Sequence, residues 1–99
     1  MSRLLNPAEV SDQLKSLPLW SVAGTEGQAI SATFKFADFK EALKFVNEVG
    51  DLAEQLDHHP DIDIRWNKVT LTLSTHSEGG LTGRDFELAQ RISAKTAGQ

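Results

Sequence analysis

Apolar residues recur along this chain in two periods, and the switches between them mark its elements. Ile30, Ala32, Phe34 and Phe36 alternate with Ser31, Thr33 and Lys35. A period of two is that of a half-buried strand, so Ile30–Phe36 is predicted as an antiparallel strand. A shorter strand, Leu19 to Ala23, is expected before it, with Trp20 and Val22 on one face and Gly24-Thr25-Glu26-Gly27 as the turn. The period then lengthens. Phe39, Ala42, Leu43, Val46, Val49, Gly50, Ala53 and Leu56 recur three and four apart, the stripe of an amphipathic helix from Ala37 or Asp38 to Leu56. Asp38 and Glu41 have capping-box spacing at its start. Glu54 falls at the edge of the stripe, as a rim carboxylate.

Alternation returns in Ile62, Ile64 and Trp66, and again in Val69, Leu71 and Leu73. With Asn67-Lys68 as a two-residue turn, Trp66 faces Val69, Ile64 faces Leu71 and Ile62 faces Leu73. All six then share one buried face. Extended toward the open end, this register sets His59 opposite His76.

A helix stands at each end. Asn6, Pro7 and Glu9 read as N-cap, first helical residue and capping-box partner, and Leu5 and Val10 have staple spacing. Val10, Leu14 and Leu17 form a thin stripe that ends before Pro18. Thr82 and Asp85 cap the last helix, with Leu81 and Phe86 as a staple. Phe86, Ala89 and Ile92 continue inward, and Lys95 to Gln99 is expected to fray. The order is helix, strand, strand, helix, strand, strand, helix. It implies an α+β fold, a four-stranded antiparallel sheet with three helices packed on one face. Thr70, Thr72, Ser74, Asp63 and Arg65 would make the other face polar, and two sheet edges invite a second subunit.

Ninety-nine residues suit one domain, 1–99. Without cysteine, disulfides, thiolate chemistry and Cys-ligated metal are excluded. No apolar run reaches the ~20 residues of a membrane span. A net charge of −4 argues against nucleic acid or anionic lipid held by a general basic field. Met1-Ser-Arg-Leu-Leu-Asn-Pro does not read as a signal peptide, and with the missing cysteines this points to the cytoplasm.

All three histidines lie between positions 58 and 76. Each candidate feature has a plain structural reading too. His-His-Pro suits a polar connection, Asp85 a helix N-terminus, Gly79-Gly80 a turn, and Trp20 and Trp66 the core. Convergence shifts the balance: the histidines gather at one end of a hairpin, and Glu54 lies one helical turn before His58. A carboxylate there can orient an imidazole. Three histidines can hold zinc. His58 and His59 are adjacent, however, and in a strand would point to opposite faces, which counts against a shared ion. Imidazoles without metal suit acid–base chemistry near neutrality. Ser74, Thr75 and Ser77 lie close by, but no acyl-transfer motif surrounds them.

Glu54-Gln-Leu-Asp57-His58-His59-Pro60, then Trp66, His76 and Asp85 at fixed spacing, resembles the signature of pterin-4a-carbinolamine dehydratases. The likeness covers most of the chain, including Trp20 and the FADFKEAL helix start, and is weakest in the first fifteen residues. It implies dehydration of a 4a-hydroxytetrahydropterin to quinonoid dihydropterin and water, in support of tetrahydrobiopterin recycling. It also implies no metal or cofactor, the pterin being substrate, and a homodimer or homotetramer. By resemblance His58, His59 and His76 line the pocket, with His58 and His76 moving protons and His59 holding substrate. Glu54 tunes them. Asp57, Pro60, Trp66, Thr75, Ser77, Glu78 and Asp85 shape the substrate site. Some mammalian relatives also serve as dimerisation cofactors for transcription factors, so a protein-binding module without catalysis is the alternative.

Overall fold

The computed structural model describes residues 3–96. The expected fraying of Ala97-Gly98-Gln99 and the reading of Met1-Ser2 lie outside that range. The elements run α1 (Pro7–Leu14), β1 (Ser21–Ala23), β2 (Ala29–Lys35), α2 (Phe39–Leu56), β3 (Asp61–Arg65), β4 (Lys68–Leu73), a one-turn 3-10 helix (His76–Glu78) and α3 (Gly83–Lys95). The strands form one antiparallel sheet in the order β1-β2-β4-β3. This is the expected α+β architecture. Among the described residues no helix is long and apolar enough to cross a membrane.

Capping residues start the helices where the sequence places them. Asn6 Oδ1 accepts from the Glu9 N–H at 2.8 Å, and Glu9 accepts from the Asn6 N–H at 3.0 Å. Arg3 grips both Glu9 oxygens, at 2.9 and 2.7 Å. That bond, with the Asn6 N–H, lowers the Glu9 carboxyl to about 2. A depressed carboxyl stabilises the fold above its ordinary range and loses that contribution as pH falls toward about 2. An NMR titration is therefore expected to show Glu9 still ionised at pH 3; an ordinary midpoint near 4.5 would contradict the clamp.

The core lies between the sheet and the helices. Ile30, Ala32, Phe34 and Phe36 of the β2 segment and Val69, Leu71 and Leu73 of β4 are buried against Ala42, Phe45, Val49, Phe86, Leu88 and Ile92. Trp20 is in this core, and its Nε1–H donates to Ser93 Oγ on α3 at 3.0 Å. The expected strand from Leu19 is shorter, because Leu19 sits in an exposed turn and Val22, on the sheet edge, is half exposed. The α2 stripe is also rotated. Phe45 and Leu52 join the core, while Phe39 and Leu43 are exposed. α3 packs near Trp20, on the β1 side. Lys95 of α3 shares a cleft with Glu41, Lys44 and Glu48, so these mark the α3-facing flank of α2. Phe39 and Leu43 are on the opposite flank, toward the free edge of β3.

The second hairpin differs from its expected register by two residues. Arg65 pairs with Lys68, Ile64 with Val69, Ile62 with Leu71 and Asp61 with Thr72. The turn is Trp66-Asn67, not Asn67-Lys68. Asn67 decides it. Its buried side-chain amide donates to Phe36 O at 2.8 Å, and its backbone carbonyl accepts from the Phe36 N–H at 2.8 Å. A buried amide left unpaired costs about 1–3 kcal/mol. Trp66 is forced into a left-handed conformation, φ 53°, and is 69% exposed. The six apolar residues therefore do not share a buried face, since Ile62 is exposed as well. His59 and His76 are not paired either: the ladder ends at Asp61–Thr72, and His76 is in the 3-10 turn.

Candidate active site

The site begins where α2 ends. Asp57 adopts φ 49°, ψ 46°, a left-handed conformation that aspartate tolerates better than most residues. The Asp57 N–H turns back to Glu54 O at 3.3 Å and the His58 N–H to Ala53 O at 3.0 Å. The chain reverses there, and the adjacent histidines part. His58 is buried, and His59 is exposed.

His58 Nε2 lies 2.6 Å from Asp85 Oδ1. Asp85 is fully buried and its second oxygen is also occupied. Oδ2 accepts from Thr75 Oγ1 at 2.7 Å and from the Thr82 N–H at 2.9 Å. The Thr75 and Thr82 hydroxyls are 2.8 Å apart. A buried carboxylate survives only with such partners. Its place in the first turn of α3 adds the favourable end of the helix dipole. An ionised carboxylate can only accept, so Asp85 assigns the proton to Nε2 and leaves the lone pair of neutral His58 on Nδ1. Among the described residues every buried side-chain nitrogen and oxygen has a partner. Nδ1 takes part in no hydrogen bond there, so it is not sealed from solvent.

His59 is held from the other side. Its Nε2 meets Glu54 Oε2 at 2.5 Å, with both side chains largely exposed. His76 opens the 3-10 turn that follows β4 and is exposed. A bridge between Thr75 and Gly80 closes this loop, with Thr75 N–H to Gly80 O at 2.9 Å. Gly79 reverses it at φ 75°, where a side chain would be strained.

Asp85 thus joins the two connections that carry histidines. One oxygen holds His58, after α2; the other holds Thr75, next to His76. The remaining expected site residues divide. Glu54, in the last turn of α2, and Asp57, Pro60, Ser77 and Glu78, in these two connections, have exposed or half-buried side chains. Thr75 and Asp85 are buried and spend their side chains on one another, so they support the histidines from behind and do not face a ligand. Trp66 is at the opposite end of β3, five strand residues or roughly 17 Å away, and does not join the site. Among the described residues no three His, Cys, Asp or Glu side chains gather as metal ligands. Thr82 and Arg84 escaped notice as site residues. Thr82 stood out only as a cap; Arg84 stood beside Asp85 without a motif of its own.

A groove of about 610 Å³ opens beside the same loop, between α1 and the β1–β2 turn, with Gly79 and Gly80 in its wall. Size alone would favour it as a ligand site. Among the described residues its one ionisable lining residue is Glu26, so there it lacks the paired acid and base of the histidine connections.

Comparison with known proteins bears on the same residues. The family model for pterin 4 alpha carbinolamine dehydratase matches residues 3–95. A protein of Roseiflexus castenholzii, provisionally named as such a dehydratase, is 53% identical over 93% of this chain and 96% of its own. One from a Cyanothece strain, named in the same provisional way, is 52% identical over 94% and 93%. The crystal structure of a transcriptional coactivator/pterin dehydratase from Brucella melitensis superposes with a TM-score of 0.88 at 37% identity, covering 93% of this chain and 97% of the other. A pterin dehydratase-like RuBisCO assembly factor of the alpha-carboxysome shares the fold, with a TM-score of 0.66 at 21% identity over 81% and 92%. With the family match running from Arg3 to Lys95 across both histidine connections, the chain belongs to the pterin-4-alpha-carbinolamine dehydratase family.

Proposed function

We propose that this protein dehydrates a 4a-hydroxytetrahydropterin to quinonoid dihydropterin and water, in support of tetrahydrobiopterin recycling in the cytoplasm. The observation that carries this reading is His58: its Nε2 is anchored on buried Asp85 while Nδ1 is left open, in a connection tied to that of exposed His76. The reaction breaks the C4a–O bond. One imidazolium gives a proton to the departing hydroxyl, and one neutral imidazole takes the proton of the ring nitrogen. Protons and electrons balance, so the step needs no oxidant or reductant. His58 and His76 are the proton-moving pair. His59, fixed by Glu54, holds the substrate. The imidazoles form a coupled set, and the acid and base are properties of that set.

The test compares the rate of carbinolamine loss with and without protein, since the substrate also dehydrates spontaneously. Acceleration that survives a chelator supports the reading. A rate no faster than the background ends it.

We propose further that the chain self-associates as a homodimer or homotetramer. Phe39 and Leu43 on the outer flank of α2, and Ile62 on the free-edged strand β3, present apolar surface on one side of the molecule. Light scattering is expected to find a dimer or larger species that Leu43→Glu converts to monomer. A monomeric wild type at tens of micromolar would remove this part. The Brucella melitensis relative is named a transcriptional coactivator as well as a pterin dehydratase, and the same surface could seat another protein. Capture of such a partner by a chain with no effect on dehydration would favour a binding module instead.

A further inference from the structure

Two consecutive residues of α3 hold the α2–β3 connection, and only the second belongs to the family signature quoted above. Asp85 takes the His58 ring. Arg84, one position earlier, donates from Nη2 to the backbone carbonyl of Asp57 at 2.5 Å. Asp57 is the left-handed residue at the end of α2, immediately before His58 and His59. Three observations converge there. The last turn of α2 contains no basic residue, although Glu54 and Asp57 put negative charge at the negative end of its dipole. The left-handed Asp57 is a conformation that surroundings must enforce. Among the described residues the one cation bonded to that carbonyl comes from another helix, whose first turn is fixed by the Thr82–Asp85 capping box.

We propose that Arg84 is a positioning residue for the histidine pair. Its guanidinium supplies the charge that the end of α2 lacks and pins the Asp57 carbonyl, which sets the directions in which His58 and His59 leave the helix. Asp85 fixes the His58 ring; Arg84 fixes the backbone that carries both rings. Without it, His59 and Glu54 keep their contact but turn together relative to His76.

The functional half of this inference rests on the dehydratase reading, so the test uses two readouts. Arg84→Met keeps the length of the side chain without its charge, and Arg84→Lys restores charge without the planar fork. The first readout needs no substrate: amide exchange at Asp57 to Asp61 and the imidazole ¹⁵N signals of His58 and His59. The second is kcat and KM for carbinolamine dehydration. Arg84→Met is expected to speed amide exchange in this segment, broaden the His59 signals and lower kcat by roughly ten- to a hundredfold. Arg84→Lys should recover part of both losses. A purely structural role would lower thermal stability and leave the kcat of the folded fraction alone. Preserved order overturns the proposal, as does disorder with unchanged kcat. If Arg84→Met fails to fold, Arg84→Lys carries the test: partial loss of both order and turnover supports the proposal, and wild-type order and turnover in that variant overturn it. Should the wild type show no dehydration, the ¹⁵N and exchange results still decide whether Arg84 sets the histidines, and the dehydratase reading fails separately.

Discussion

Replacing His76 with alanine is expected to slow carbinolamine dehydration by about 10²- to 10⁴-fold, the usual worth of a positioned acid or base. The fold should not notice. His76 is exposed in a one-turn helix whose backbone bonds come from Thr75, Glu78, Gly79 and Gly80, not from the imidazole. An exposed substitution of that kind moves stability by no more than about 0.5 kcal/mol. His59→Ala is expected to act differently, raising KM more than it lowers kcat, if its ring holds the substrate as proposed. The pair of variants is read in one experiment, with turnover and thermal melts on the same preparations. Wild-type kcat in His76→Ala would exclude it from proton transfer.

Asp85→Ala is expected to be the most destabilising single change near the site, by about 3–5 kcal/mol. It would strip partners from His58 Nε2, the Thr75 hydroxyl and the Thr82 N–H together, all of them buried. Against a total stability of roughly 5–15 kcal/mol, that loss brings the domain close to unfolding at body temperature. Asp85→Asn separates stability from chemistry. Its amide keeps the shape and one acceptor, but it can no longer assign the proton of His58 with the strength of an anion. The variant is expected to fold and to lose roughly 10²-fold or more in kcat. If denaturant unfolding shows Asp85→Ala within 1 kcal/mol of wild type, the buried network does not carry the weight given to it here.

The parts legible in the sequence are those with a local cause. Asn6, Asp38 and Thr82 announce helix starts because a cap bonds within three residues of itself, and β2 announces its buried face by strict alternation. The histidine motif could be read because its spacing is fixed along the chain. What stayed hidden depends on partners far away. Phe39 and Leu43 are as apolar as Phe45 and Leu52, and distant partners decide which pair is covered: Phe45 packs on Phe34 and Phe36 of the β2 segment. His58 and His59 are chemically identical in sequence, and the left-handed turn at Asp57 alone sends one inward and one outward. Asp85 explains itself as a helix cap, so its second bond, to a ring 27 residues earlier, has no local signal.

The hairpin tip also bears on how the chain reaches this structure. A strand pair that slides by two residues keeps every side chain on its own face, so the apolar core cannot reject that error. The competing register is therefore one that facing alone leaves open. Asn67 favours the native alignment, in which its side-chain amide closes on the Phe36 carbonyl beside the backbone bond between the same two residues. A chain caught in the other register would carry the His58 connection roughly 6–7 Å along the sheet, out of reach of Asp85. One buried asparagine at the far end of the hairpin thus acts as proofreader for a site it never touches.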